Sequence, residues 1–516
     1  MSIIIRESDD SGRNHATYIQ TTETIRQQQE TSRLSSNWVE FFRGIFLPAG
    51  YPATVSPDYL QCQIYYGVQA FCSSLAGLIA SRAVLEGHGI GKADASATDA
   101  MLLTLLQDAF SRLTTILGAY YLGTSLYPEA KTYRLVADIA NDVAIVLDLL
   151  SPQLSTYSLS LHYPFITSQS SSALRTAALC SSGGFRALCG VAAGGSRAAL
   201  TLHFAQDGSI PGDVGDLSAK DASKETVLAL IGMLVGSLII PHLHTAQATY
   251  TVVCILLIGH LLANYIAVRV VIMKALNRQR AAILWTAYRE TTEGNFISKC
   301  STFIWKALIA TILDEKGPCR RVLMPKEVAK REYLFGRENA LLNIHSHTDE
   351  IAGYATIGSS FSDLFPSSPL RGDATWTSKL LDVFADEKFI VWFDLRPSIF
   401  SIFPLSLVVR ASPKPRFHIL LKEGHTSTDH LKAWAFTCDL ASFSGIGYPW
   451  ESPVGLVKEI EYVKVAFDEA YEGFVDDVKR AGWNVDVQGL VSGSPRVISV
   501  EKIEHGAKGY EDKKTI

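Results

Sequence analysis

The sequence predicts a mainly α protein in which a helical, membrane-embedded N-terminal bundle precedes a smaller α+β C-terminal domain. Three observations carry this expectation. Four runs before residue 290 hold no charge: Tyr59 to Ala80, Leu113 to Tyr127, Thr226 to Ile240 and Thr251 to Val268. Glycines four apart, Gly190 with Gly194 and Gly232 with Gly236, fall on single helix faces and let two backbones approach closely. Beyond Glu290 the long apolar helical pattern gives way to short β-rich runs and turn-forming segments. Composition agrees, with 47% hydrophobic and 19% charged residues and a mean hydropathy of +0.15, high for a soluble chain of this length.

Residues 1–36 are polar, rich in Gln, Thr, Ser and Glu, and lack hydrophobic periodicity, so a disordered tail is expected there. Ile3 to Ile5 is too short for a signal-peptide core, and Glu7, Asp9 and Asp10 argue against a transit peptide. The expected location is an intracellular membrane, without secretion. Residues 37–290 form the helical domain. Its best spanning candidate is Thr251 to Val268, 18 uncharged residues followed by Arg269, Lys274, Arg278 and Arg280, which places the following chain on the cytosolic or equivalent side. The competing reading is a soluble bundle whose central helices are apolar all round.

Residues 291–372 read as a linker region with some helix, basic through 316–332 and rich in Gly, Ser and Pro at 353–372. The α+β domain occupies 373–516. Phe389 to Phe393, Leu405 to Arg410 and Arg416 to Leu421 read as strands, the latter two joined by Ser412-Pro413-Lys414-Pro415. A helix follows Thr426, whose spacing to Asp429 fits a capping box, with Leu431, Trp434, Ala435 and Cys438 on one face. A second starts at Pro453 behind a Ser452 cap, buries Leu456, Ile460, Val463, Phe467, Ala470 and Phe474, and ends at Gly482.

Several functions are disfavoured. A net charge of −4 gives no electrostatic footprint for nucleic acid. The eight cysteines include no CxxC pair, and the pairs His242/His244 and His345/His347 lack further ligands, so no metal is expected. No nucleophile–base motif appears, so neither enzymatic activity nor a cofactor is expected. The segment GHGIGKA at 87–93 fails as a phosphate loop because Glu86 stands where the first glycine is required and Ala93 replaces Ser or Thr; it reads as a helix-connecting turn.

The candidate site is built from charges embedded in apolar helices. Asp138, Asn141 and Asp142 share a helix face with Arg134 one turn earlier, and such charges must meet cations, with Arg197 or Lys220 as the expected partners. Arg197 and Thr201 extend the Gly190–Gly194 stripe, which suggests an interior contact. Ser218 reads as a helix cap, which puts Lys220 in a first turn where it opposes the helix dipole; Asp216 is its nearest anionic partner. The loop from Asp207 to Asp216 lacks calcium-loop spacing and reads as a solvated turn. Two readings of the embedded charges stay open, a polar binding site or ion path and an ion-pair network that fixes helix register.

The run GVAAGGSRAALTLHFA, followed by DLSAKDASKET, resembles the root UVB sensitive (RUS) family, whose domain is also described under vitamin B6 photoprotection and homeostasis. FLPAGYPATVSPDYLQCQ at 46–63, AKTYRLVADIANDVAIVLDLLSP at 130–152 and LANYIAVRVVIMKALNRQR at 262–280 are similar to family motifs in the same order, so the likeness spans roughly 37–285. Weaker likeness continues through PKEVAKRE at 325–332 and from Phe474 to Trp483. Where the family pattern has a Gly-rich segment ending in arginine after the aspartate matched by Asp108, this chain has Ala109, Ser111, Thr114 and Thr115; Pro211, Gly212 and Asp213 look inserted. The resemblance implies a role linked to pyridoxal-phosphate homeostasis and, in plants, to UV-B responses. It leaves two molecular readings. One is a non-enzymatic membrane scaffold or adaptor that recruits proteins, such as family members or pyridoxal-phosphate-dependent enzymes. The other is a membrane carrier for a small anionic metabolite such as a phosphorylated B6 vitamer.

Overall fold

The computed structural model describes residues 3–8, 14–21, 24–28, 34–87, 97–154, 173–301, 321–337, 339–345, 350–364, 375–394, 414–444 and 453–501. The chain divides into two compact units, Met1–Lys274 and Ala275–Ile516.

The first unit opens with a three-stranded antiparallel meander, β1 (Ile3–Ser8), β2 (Asn14–Gln20) and β3 (Ile25–Gln28). This corrects the expected disorder for the described part of 1–36. Ile, Thr and Tyr at paired positions supply β propensity, which the abundance of polar residues masks in sequence. Seven helices follow: α1 (Leu34–Phe46), α2 (Tyr59–Gly87), α3 (Ala97–Leu122), α4 (Ala130–Leu154), α5 (Ala173–Gln206), α6 (Val214–Ile239) and α7 (Ala246–Val270). Helices α2, α6 and α7 are long and apolar enough to cross a membrane. Helix α2 packs against α4, α6 and α7, while α5 packs against α3 and α4.

Among the described residues, one of the two glycine pairs is used for packing. A methyl group built on Gly232 would lie 3.0 Å from the Phe71 carbonyl oxygen, and one on Gly236 would lie 2.7 Å from Leu75 Cδ1, so this pair seats α6 directly on α2. Gly190 and Gly194 are exposed with open space beside them, against the expectation of an interior contact. The reason is helix phase. Helix α5 meets α3 through Gly183, Gly184 and Val191 and α4 through Ser182 and Arg186, which turns the Gly190–Gly194 stripe away from both.

Helix α6 also starts earlier than the sequence suggests. Its cap is Asp213, whose carboxylate accepts from the backbone N–H groups of Gly215 at 2.7 Å and Asp216 at 3.3 Å, and not Ser218. Lys220 therefore lies in the second turn, and the dipole argument for it falls. The aspartates of the preceding loop are engaged: Asp207 reaches His203 at 3.1 Å and Lys274 at 3.2 Å.

The second unit begins at Ala275, not after 290. Helix α8 (Arg278–Ser301) buries Ala281, Ala282, Ile283, Leu284, Trp285 and Tyr288 in this unit's core, where Trp285 meets Phe467 and Phe474. The described part of the expected linker carries regular structure as well. It supplies α9 (Pro325–Arg331), β4 (Ala340–Leu342) and β5 (Ile351–Ile357). With β6 (Phe389–Asp394), β7 (Arg416–Lys422) and β8 (Val497–Ile498) these form a mixed sheet in the order β4-β5-β7-β6, with β8 also on β7. Strand β5 runs parallel to β7 and β6 antiparallel to it, which makes β5 an inner strand that the Gly/Ser-rich composition around it concealed.

Helices α10 (Thr375–Val383) and α11 (Ser427–Ser444) follow, the latter with the expected capping box: Thr426 N–H donates to Asp429 at 2.8 Å. The stripe from Leu456 to Phe474 is buried, but the helix expected to reach Gly482 is broken. Gly473, at φ +77°, separates α12 (Pro453–Tyr471) from α13 (Phe474–Arg480). The expected strand Leu405–Arg410, the Ser452 cap, most of GHGIGKA and His347 lie outside the described residues.

Two outcomes follow from this packing. Gly232→Leu is expected to destabilise the full chain by about 1–3 kcal/mol through overpacking, while Gly190→Leu stays near wild type; thermal unfolding of the two variants checks the contrast. In the second unit His430 is buried on α11 and bonded to His425 at 2.8 Å; burial, then the neighbouring imidazole, pushes its pKa down to about 4. The folded state therefore resists a proton that the unfolded chain accepts at an ordinary pKa of about 6.5. Stability falls as pH drops through that window, by up to about 3 kcal/mol, and His430→Gln flattens the pH dependence of unfolding between pH 4.5 and 7.

A polar pocket inside the helical unit

The interior of the first unit is polar along one helix. On α4 the buried Arg134 guanidinium lies 3.4 Å from Asp138 and over the ring of Tyr66, 4.9 Å from its centroid. The Asp138 carboxylate also accepts from the side-chain amide of Asn264 on α7. Asn141 donates to Ser73 on α2 at 3.0 Å. Asp142 lies 2.8 Å from Nδ1 of His260 on α7, and Asp148 pairs with Arg186 on α5. Charges at this depth persist only when matched, and each of these carboxylates has a cation or a donor within reach.

Where α2, α4, α5 and α6 converge, they enclose a cavity of about 90 Å³. Arg134, Arg197 and Lys224 line it together with Asp221, Glu225, Gln63, Tyr66 and Gln69. Each of the three cations is paired: Arg134 with Asp138 behind it, Arg197 with Glu225 and Lys224 with Asp221. Lys224 is held 2.8 Å from Asp221 and donates to the Tyr59 hydroxyl at 2.6 Å, while Tyr59 and Gln63 donate to Asp221 at 2.7 and 3.0 Å. The buried Tyr66 hydroxyl has the Arg134 guanidinium and the Cys62 thiol as its polar neighbours.

Of the residues expected to form the site, Arg134 and Arg197 line this pocket and Asp138 stands directly behind Arg134. Arg197 pairs with Glu225, and not with Asp138 or Asp142 as expected. Asp216 and Lys220 are elsewhere and do not pair with each other. Asp216 accepts the Ala49 N–H at 2.8 Å and Lys220 donates to the Gly44 carbonyl, so they anchor the segment after α1 and the last turn of α1 respectively. The sequence reading missed Asp221, Lys224 and Glu225. In SAKDASKE at 218–225 they sit at i, i+3 and i+4, and reading Ser218 as the cap drew attention to the wrong face of that helix.

Fold and site together define a class: a helical unit with a polar interior and an apolar surface, joined to an α+β unit. Residues 32–292 match the vitamin B6 photo-protection and homoeostasis domain, and the chain belongs to this family, the root UVB sensitive family. It is 32% identical over 259 residues to RUS family member 1 of Dictyostelium discoideum, covering 50% of this chain and 45% of that protein. It is 31% identical over 274 residues to protein root UVB sensitive 3 of Arabidopsis thaliana, covering 53% and 57%. The chain thus spans about half the length of these relatives. A longer alignment, 22% identical over 450 residues, reaches 87% of this chain and 83% of the chloroplastic root UVB sensitive 2 of Arabidopsis thaliana. No solved structure matches.

The two arginines separate in their expected cost. Arg134→Ala strands the buried Asp138 carboxylate and is expected to destabilise the chain by about 3–5 kcal/mol. Arg197 and Glu225 are both near 40% exposed, so Arg197→Ala costs at most about 1 kcal/mol. Chemical unfolding of the two variants in detergent tests the difference.

Proposed function

We propose that the helical unit lies in an intracellular membrane and binds a small anionic metabolite in the pocket of Arg134, Arg197 and Lys224, as a non-enzymatic carrier. Two kinds of residue support the membrane part. Leu230, Leu234 and Leu238 on α6 and Ile255, Ile258 and Leu262 on α7 point outward uncovered, while Arg134, Asp138, Asp142 and His260 are buried. This inverts the distribution of a soluble protein and suits a hydrocarbon solvent. Trp38, Phe41 and Phe42, exposed on the amphipathic α1, fit a membrane interface.

The observation that carries the ligand reading is the pocket itself, where the cationic side chains of Arg134, Arg197 and Lys224 converge beside Tyr66 and Gln69. Its family, named for vitamin B6 homoeostasis, makes a phosphorylated B6 vitamer the ligand to try first. The scaffold reading keeps one observation of its own. Tyr462 and Val465 stand exposed on α12, a surface on which a recruited protein or a second family member could dock.

The test uses the full chain in lipid nanodiscs and pyridoxine 5′-phosphate, which lacks the aldehyde that labels lysines. We expect the protein to resist alkaline carbonate extraction and to bind the vitamer saturably, with Lys224→Gln and Arg197→Ala each weakening binding by about 10- to 100-fold, the loss of one charged hydrogen bond. Absence of binding, together with loss of cellular function in Tyr462→Glu/Val465→Glu, would instead support the scaffold.

A further inference from the structure

We propose that Asp142 and His260 form a proton-binding site inside the helical unit, linked through Gln69 to the anion pocket so that proton and anion bind together. The proposal rests on the reading of that pocket as an anion site, and adds the ion that accompanies the anion.

The geometry begins at His260, which is 0% exposed in the middle of α7. Its two ring nitrogens face different groups. Nδ1 lies 2.8 Å from Asp142 Oδ1, at ion-pair distance but without hydrogen-bond alignment; Nε2 lies 2.8 Å from the side-chain amide nitrogen of Gln69. Gln69 in turn lines the pocket beside Arg134. One buried amide therefore separates the imidazole from the anion site.

Charge makes the pair a place for a proton. The charged and titratable groups facing it are Asp138 on α4, Cys72 on α2, Cys189 on α5 and, farther along α5, Arg186. Gln69 and Ser73 of α2, Asn141 of α4 and Asn264 of α7 complete the polar surroundings. Asp138 is matched by Arg134, and Arg186 is taken by Asp148. That leaves the His260 ring as the group of potential positive charge placed against the Asp142 carboxylate, with Asn141 as its other polar neighbour. With a neutral imidazole the pair carries one negative charge in a low-dielectric interior, a costly state; with one added proton it is an imidazolium–carboxylate pair of zero net charge.

The Gln69 amide supplies the coupling. A neutral imidazole with its proton on Nδ1 accepts at Nε2 from the Gln69 amide N–H, so the amide oxygen is the end left for the pocket. Adding a proton to Nε2 turns that nitrogen into a donor, and Gln69 answers by rotating its oxygen toward the ring. Its N–H groups then become available to an anion beside Arg134. An anion favours the rotated amide, the rotated amide favours the protonated ring, and by linkage each ligand tightens the other.

The experiment measures sulfate binding to the full chain in nanodiscs from pH 5.5 to 8, because sulfate stays dianionic throughout, with pyridoxine 5′-phosphate as competitor. A pH-indicator dye in weak buffer follows protons at the same time. The expected result is uptake of protons on sulfate addition, approaching one per anion, and an affinity that weakens by up to about tenfold per pH unit on the alkaline side. His260→Gln and Asp142→Asn should still bind sulfate but lose the uptake and flatten the profile. Binding without proton uptake, or uptake that persists in both variants, overturns this proposal and leaves the anion site standing. Failure of both sulfate and the vitamer to bind overturns the anion site and this proposal with it. If the variants do not fold, infrared difference spectra of the wild-type protein decide: an imidazolium band that appears with sulfate supports the site, and its absence overturns it.

Discussion

The fold of the first unit depends on burying the polar face of α4. Roughly once per turn this helix extends a polar side chain into the bundle, and each reaches a different neighbour. Arg134 lies over Tyr66 of α2 and beside Asp138, which Asn264 of α7 also satisfies; Asn141 reaches Ser73 of α2, and Asp148 reaches Arg186 of α5. Between apolar helices, van der Waals contact tolerates several registers, whereas a buried carboxylate tolerates only the register that brings its partner. The ladder therefore fixes how α2, α5 and α7 are set around α4.

The remaining arrangement follows from that interior. Leu217 of α6 and Val253, Ala267 and Val268 of α7 enter the small apolar cores beside that polar face, while the leucines and isoleucines on the outer faces of both helices remain uncovered. Helix α6 touches the bundle over a narrow edge, Gly232 and Gly236 on α2, and its charged first half, with Asp221, Lys224 and Glu225, closes the pocket against α5. The same helix thus contributes a wall of the site at one end and an uncovered apolar surface at the other. The segment before α2 is held separately, by Asp58 accepting from the Ile272 N–H at 2.7 Å and lying 3.3 Å from His203, so the start of α2, the end of α5 and the chain after α7 are drawn together at one end of the unit.

What the sequence disclosed, and what it hid, has a physical pattern. Helices α2, α6 and α7 were legible because an uncharged run is a property of each segment alone. The polar face of α4 was legible as a face, since Asp138, Asn141 and Asp142 fall at helical spacing. Partners were not legible: the cation for Asp138 proved to be Arg134 on its own helix, and Arg197 went to Glu225. Partnership depends on the rotation of helices far apart in sequence, and a shift of the α6 start from Ser218 to Asp213 was enough to put Lys220 and Asp216 outside the site. The second unit shows the same limit. The capping box at Thr426 and the buried stripe from Leu456 are local signals and held, whereas the membership of α8 in that core is set by Trp285 meeting Phe467 and Phe474 almost two hundred residues away.

The central claim is that this unit keeps its polar groups inside and turns its apolar ones toward lipid. Spin labels placed at Leu234 on α6 and Ile258 on α7 of the full chain in nanodiscs test it most directly, by comparing relaxation from oxygen, which concentrates in hydrocarbon, with relaxation from a water-soluble nickel complex. The account predicts that oxygen dominates at both positions. Dominance of the nickel complex at both would show a soluble bundle and contradict it.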